Sequence, residues 1–193
     1  MEKDEIVKTE IINQAQILFQ QFGLKKTTMD EIASGCGKAK STLYHYFTSK
    51  EDVFDAVIEK ELVNLRKDVK NKVEEHKHMI DKISTYVLEF YKEVINKVNI
   101  YRVLKKEKII ENQGKKVFLR MMEFEKSYIL RILEDGFDSG EYTPANREDL
   151  PLIAEMSLAS IYGIMLYSIE KDGFIDHAKL QNIISLLVPK VFG

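Results

Sequence analysis

Residues 27–51 read TTMDEIASGCGKAKSTLYHYFTSKE, and this stretch decides the fold. Its first half has the marks of a short helix. Thr28 can accept a hydrogen bond from the free backbone N–H groups of a first turn, and Glu31 can return one, the form of a capping box. Met29, Ile32, Ala33 and Cys36 follow at i, i+3, i+4 and i+7, so they share one apolar face. Gly35 and Gly37 come next, and glycine suits a sharp stop and a change of direction. The second half predicts another short helix, from about Lys40 to Phe47, with Leu43 and Phe47 pointing inward together. Two short helices around a tight turn are what a major-groove reading unit asks for.

The outward face of that second helix carries Lys40, Ser41, Thr42, Tyr44, His45 and Tyr46. It holds cations, hydroxyls and rings, and no carboxylate. A helix selected only for solubility would mix charges of both signs. Hydrogen-bonding groups beside lysines suit phosphate oxygens and base edges. Thr48-x-x-Glu51 and Ser49 then predict the cap of a third helix, with Lys50 in its first turn. A lysine there opposes the helix dipole, so a phosphate between the two would satisfy both.

The run resembles the DNA-binding signature of tetracycline-repressor (TetR) family transcription regulators. The matching residues are Gly23, Thr27, Thr28, Ile32, Ala33, Gly37, Thr42-Leu43-Tyr44, Tyr46-Phe47 and Ser49-Lys50-Glu51. The likeness is close over the first quarter of the chain; beyond it, only length, helicity and element order agree. The resemblance implies that Thr28 meets a phosphate, that Lys40, Ser41 and Thr42 face the groove, and that Tyr44, His45 and Tyr46 touch backbone and base edges. It implies a phosphate for Lys50, and a core role for Leu43 and Phe47. Two departures stand out. Lys38 and Ala39 occupy places where members often have an apolar residue and a serine. Alanine is a poor N-cap, and Lys38 adds a cation near the DNA. Gly35, inside the last turn, costs about 1 kcal/mol against alanine.

The formal net charge of the 193-residue chain is −2, so nucleic-acid binding needs a local patch, which Lys38 to Lys50 supplies. Hydrophobic content of 45% supports a core. The single cysteine, Cys36, excludes an internal disulfide and is expected to be buried packing. No apolar run approaches the roughly twenty residues that cross a bilayer. Met1 to Glu5 is charged with no apolar segment behind it, so no signal peptide is expected and the chain reads as cytosolic (cytoplasmic), with no membrane partner.

Helical periodicity continues nearly everywhere, predicting an all-α fold of about nine helices. Residues 1–48 form an expected helix-turn-helix DNA-binding domain and 49–193 a helical effector-binding and dimerisation domain. Ile11, Ala15, Leu18, Phe19 and Phe22 mark the core face of the first helix, which Gly23 stops. A long helix follows Lys50, and a short one is expected over Tyr101 to Glu111. Pro189 is expected to end the last helix.

Small side chains on the penultimate helix (Ser157, Ser160, Gly163) and apolar ones on the last (Leu180, Ile184, Leu187) suggest a homodimer four-helix bundle, which the resemblance also implies. Such a dimer would read a pseudo-palindrome of double-stranded DNA. Tyr86, Phe90, Tyr91, Phe118, Met121, Met122, Phe124, Tyr128, Met156, Tyr162 and Met165 are large, adaptable side chains suited to a small-molecule effector, or to plain core, with Tyr86, Phe90, Phe118, Met121, Met122, Tyr128 and Tyr162 the first candidates. Arg102, Lys105, Lys106 and Lys108 read as a solvated face. No nucleophile elbow or phosphate-binding glycine loop occurs. Glu74 and His78, four apart, lack a third metal ligand. No metal, cofactor or catalytic residue is expected. The reading is a ligand-responsive transcription repressor. Its rivals are a helical adaptor that uses DNA as an anchor and an enzyme on a helical scaffold.

Overall fold

The capping box forms. Thr28 Oγ1 accepts from the Glu31 N–H at 3.2 Å, and the Thr28 N–H donates to Glu31 Oε2 at 2.8 Å. It starts α2, Met29–Gly35, whose Met29, Ile32 and Ala33 are buried. The helix stops as its glycine predicts. Gly37 has φ +64°, and the Lys38 N–H reaches the Ala33 carbonyl at 2.9 Å while the Gly37 N–H reaches Ser34 at 3.1 Å, a Schellman stop. Gly35 carries no such φ, but its missing Cβ leaves room for the Gln14 side chain.

The computed structural model describes the backbone of residues 2–96, 114–143, 146–170 and 176–192, and the side chains of 4–93, 96, 122–143, 146–164, 176–190 and 192. Among them it is all-α. The other helices are α1 (Glu2–Lys26), α3 (Lys40–Tyr46), α4 (Lys50–Val73), α5 (Met79–Asn96), α6 (Gly114–Ser139), α7 (Leu150–Glu170) and α8 (His177–Phe192). The helix expected over Tyr101 to Glu111, with its basic residues, lies outside the described residues.

Chain contacts divide the protein into two compact units. The first contains Met1–Val63. Its core joins Ile11, Ala15, Phe19, Ile32, Leu43, Phe47, Val53, Phe54 and Val57, with Phe19 and Phe54 edge to face at 5.4 Å. Gly23, at φ 81°, breaks α1 as expected. Phe22, however, is 56% exposed rather than core. Phe22 lies on the same side of the helical wheel as Ile11 and Ala15, so spacing does not exclude it from the core; α1 breaks at Gly23, one residue on, and the ring stays in water. Cys36 is only half-buried, with its thiol donating to the Ile32 carbonyl. The expected Thr48–Glu51 box is replaced by its neighbour: Ser49 Oγ accepts from the Asp52 N–H at 3.1 Å, and Thr48 hydrogen-bonds the Asp52 carboxylate.

The second unit holds Asn64–Asn96 and Leu119–Gly193. Leu65, Val69 and Val73 of α4, Ile83, Tyr86 and Phe90 of α5, Ile129 and Leu133 of α6, and Leu158 of α7 form its core. Pro189 lies inside α8 and does not end it. It removes one backbone N–H, yet the helix runs on to Phe192, whose buried ring meets Tyr142 at 5.8 Å and holds the last turn.

Among the described residues, the buried charged side chain of this core is Glu125. Glu125 accepts from Arg66 Nε at 2.7 Å and from the Tyr86 hydroxyl at 2.8 Å. Burial, then the Glu125 charge, pushes the Tyr86 phenol well above its ordinary range, and burial with Glu74 does the same to Tyr128. Both shifts favour the protonated, folded form. The unfolded chain would release these protons from about pH 10, so this stability is full below that pH and falls above it. Urea denaturation followed from about pH 8 to 11 is therefore expected to show a steepening loss of stability above pH 10. Tyr86→Phe with Tyr128→Phe should flatten that slope; an unchanged slope would contradict the assignment.

Candidate nucleic-acid interface

The α3 helix starts at Ala39, which is extended and offers no side-chain cap. Its seating comes from the other end, because Leu43 and Phe47 are both buried. That fixes the opposite face. Lys40, Ser41, Tyr44 and His45 are exposed, and Thr42 and Tyr46 are half-buried. Tyr44 is 45% exposed, a large ring held out in water, with the Lys40 ammonium 6.0 Å from its centroid. The His45 and Tyr46 rings meet edge to face at 5.0 Å. Thr28 is exposed beside them at the start of α2.

The carboxylate-free character of this face belongs to α3 alone. Neighbouring helices return three acids to it. Lys40 Nζ sits between both oxygens of Asp30, at 2.8 and 3.0 Å. Lys38 Nζ, half-buried, meets Glu10 at 2.9 Å, and the Tyr46 hydroxyl donates to Asp4 at 2.9 Å. Hydrogen bonds to these acids, reinforced by their charge, raise the pKa of Lys38 and Lys40. The bond to Asp4 raises that of Tyr46. All these groups lie at the solvent boundary, where water screens the pairs.

Lys50 stands in the first turn of α4, as expected, and already has partners within the protein. Its ammonium donates to the Thr27 carbonyl at 2.8 Å and weakly to Lys25 at 3.5 Å. It ties α4 to the end of α1, with one N–H left to point elsewhere. Thr27 is buried and donates through Oγ1 to the Gly23 carbonyl at 2.8 Å, pinning the kink. The sequence reading gave neither residue this local job. A lone threonine on the inner side of a glycine break is a weak signal for it.

In the second unit, Tyr86, Phe90, Tyr128 and Tyr162 come together as a closely packed cluster. Tyr86 stacks on Phe90 at 5.6 Å, and Tyr162 meets Phe90 edge-on at 5.6 Å. Met122 is half-buried; the side chains of Phe118, Met121 and Met165 lie outside the described residues. A half-open apolar groove of about 410 Å³ lies between α5, α7 and α8; of the expected effector residues, Tyr91 and Met156 line it, and Tyr86, Phe90, Tyr128 and Tyr162 do not. Ser157, Ser160, Leu180, Ile184 and Leu187 do. Of the expected interface residues, Leu180 and Ile184 are buried within the subunit, where α8 packs on α5. Ser160, Gly163 and Leu187 are exposed, and Ser157 is half-buried. Glu74 and His78 do not share a site: Glu74 accepts from Tyr128, and His78 faces Glu141.

A capped short helix, a glycine turn and a second short helix with polar side chains held outward define a helix-turn-helix unit of the DNA-binding kind. Residues 11–57 match the family model of bacterial regulatory proteins, tetR family. Those residues carry the DNA-binding domain of the tetR family, and along its length the chain is similar to HTH-type transcription regulators. It is 27% identical over 189 residues to the HTH-type transcriptional regulator YhgD of Bacillus subtilis, covering 93% of each chain. Over 51 residues it is 39% identical to the HTH-type transcriptional repressor KstR2 of Rhodococcus jostii, 26% of this chain and 25% of that one. The fold matches the crystal structure of the transcriptional regulator FadR from Bacillus subtilis in complex with stearoyl-CoA. The TM-score is 0.73 at 19% identity, over 96% of this chain and 99% of that one.

Proposed function

We propose that this regulator is a ligand-responsive repressor that binds a pseudo-palindromic operator as a homodimer. Residues 1–48 are its reading head. Lys40, Ser41, Thr42, Tyr44 and His45 enter the major groove, and Thr28, Lys38, Tyr46 and the remaining N–H of Lys50 meet phosphates. The observation that carries this reading is the outward set of Ser41, Tyr44 and His45 on a helix anchored by buried Leu43 and Phe47.

Residues 49–193 are the effector-binding and dimerisation body. Leu152, Met156, Ile164, Ile183, Leu186 and Leu187 are large, apolar and exposed along α7 and α8, with Met156 and Leu186 each at 62%. Such a face supports burial against a second copy. Two heads about 34–36 Å apart then read successive turns. FadR crystallised with stearoyl-CoA, which supports a small-molecule effector with an apolar portion. The similarity of the reading head to KstR2 supports repression as the sign of control. The place of action is the cytoplasm, beside the DNA.

Selection of bound fragments from random duplex DNA tests the reading. An enriched inverted repeat with half-sites one helical turn apart is expected. A pool with no enriched motif, or one with single half-sites bound by monomer in sedimentation, would overturn it.

A further inference from the structure

The two lysines at the start of the reading helix are held by acids of the same protein. Glu10 comes from α1 and Asp30 from α2, each within 3.0 Å of its lysine. Non-specific DNA binding is driven by counterion release as mobile cations find phosphates at any register. A lysine already gripped by a carboxylate gains less from that exchange, because it trades one anion for another. The acid it leaves then faces the polyanion. A seated complex is different. There the lysine can stay gripped and direct its remaining N–H at one fixed acceptor, since an ammonium has three donors and Asp30 takes two.

We infer that Glu10 and Asp30 are specificity-determining residues that tether Lys38 and Lys40, suppressing binding to unmatched DNA more than binding to the operator. The tethers turn two freely searching cations into directed, half-neutralised donors. They set the ratio of operator to background affinity, not the identity of the bases read. The net charge of −2 acts in the same direction, keeping attraction to DNA local. This inference rests on the proposal that Lys38 and Lys40 face DNA.

Glu10→Gln and Asp30→Asn, singly and together, keep size and hydrogen bonding while removing charge. Affinity for a random-sequence duplex, and for a fragment recovered by selection, would be measured across a salt series. The double variant is expected to bind random duplex about 3- to 10-fold tighter at low salt, with a log–log salt slope steeper by about one to two. Operator affinity should rise less, so the ratio falls. Unchanged affinity and slope on random duplex, or equal gains on both DNAs, would overturn the inference. Lys38→Ala and Lys40→Ala separate the two levels. If they weaken DNA binding while the acid variants are silent, only the tether idea fails. If the lysine variants are silent too, the placement of these lysines at DNA fails with it.

Discussion

A variant carrying Thr42→Ala, Tyr44→Ala and His45→Ala is expected to fold as the parent does and to lose about 100-fold or more in operator affinity, leaving little preference over random duplex. Contacts to base edges contribute about 1–3 kcal/mol each, so three together reach that size. The fold cost is small because Tyr44 and His45 are exposed and Thr42 is only half-buried. Surface changes of this kind stay within about 0.5 kcal/mol, and alanine favours the helix over all three parent residues. The buried anchors, Leu43 and Phe47, are untouched. Gel-shift titration on operator and random duplex, beside thermal unfolding, checks both halves. Retained discrimination with an intact fold would remove α3 as the reading element. Lys50→Ala is a poorer probe of the same question. Its ammonium binds the Thr27 carbonyl, so losing it also loosens the join between α1 and α4.

Why the head was legible and the rest less so follows from the range of the signals. The α2 cap, the glycine stop and the Leu43–Phe47 pair lie within a few residues of the features they control. Each announces itself in sequence. The tethers do not. Lys38 and Glu10 are 28 apart in number, and Tyr46 and Asp4 are 42 apart, so a face without carboxylates in its own helix acquires them on folding. Phe22 has the spacing of a core residue, but it stands next to the Gly23 break, and periodicity cannot say how far a buried face extends toward a helix break. Pro189 was misread because a proline's local cost can be outweighed by a buried ring one turn later. The aromatic run was legible as apolar and adaptable, but sequence cannot say whether such rings close on each other or line a space. Here Tyr86, Phe90 and Tyr162 close on each other, while Tyr91 and Met156 line the groove among aliphatic side chains. Glu125 did leave a trace: it sits four residues after Met121 and four before Ile129, a carboxylate on an apolar stripe.

That carboxylate carries the largest stability effect expected in the second unit. Glu125→Leu would strip the acceptor from both Arg66 and Tyr86, whose hydrogen bonds to it are 2.7 and 2.8 Å. Breaking one side of a buried ion pair costs about 3–5 kcal/mol, because the remaining charge stays desolvated. Arg66→Leu should cost a similar amount for the opposite reason, leaving a carboxylate with 3% side-chain exposure and only a phenol to hold it. Arg66 also lies over the Phe124 ring, 4.3 Å from its centroid, so its loss removes packing as well as charge. The triple change Arg66→Leu, Glu125→Leu and Tyr86→Phe removes every member of the network, so none of its three groups is left without a partner. Its cost should be well below the sum of the single changes, the signature of coupled residues. Urea denaturation of the singles and the triple measures this directly, and strict additivity would mean that the three groups are not one network. The network binds α4, α5 and α6 at one point, and α4 is the helix that begins at Lys50 beside the reading head. The triple variant therefore asks a second question at no extra cost in stability. If the polar tie holds the body half of α4 in one of two arrangements, the variant should keep its affinity for random duplex and blunt the response of operator binding to effector.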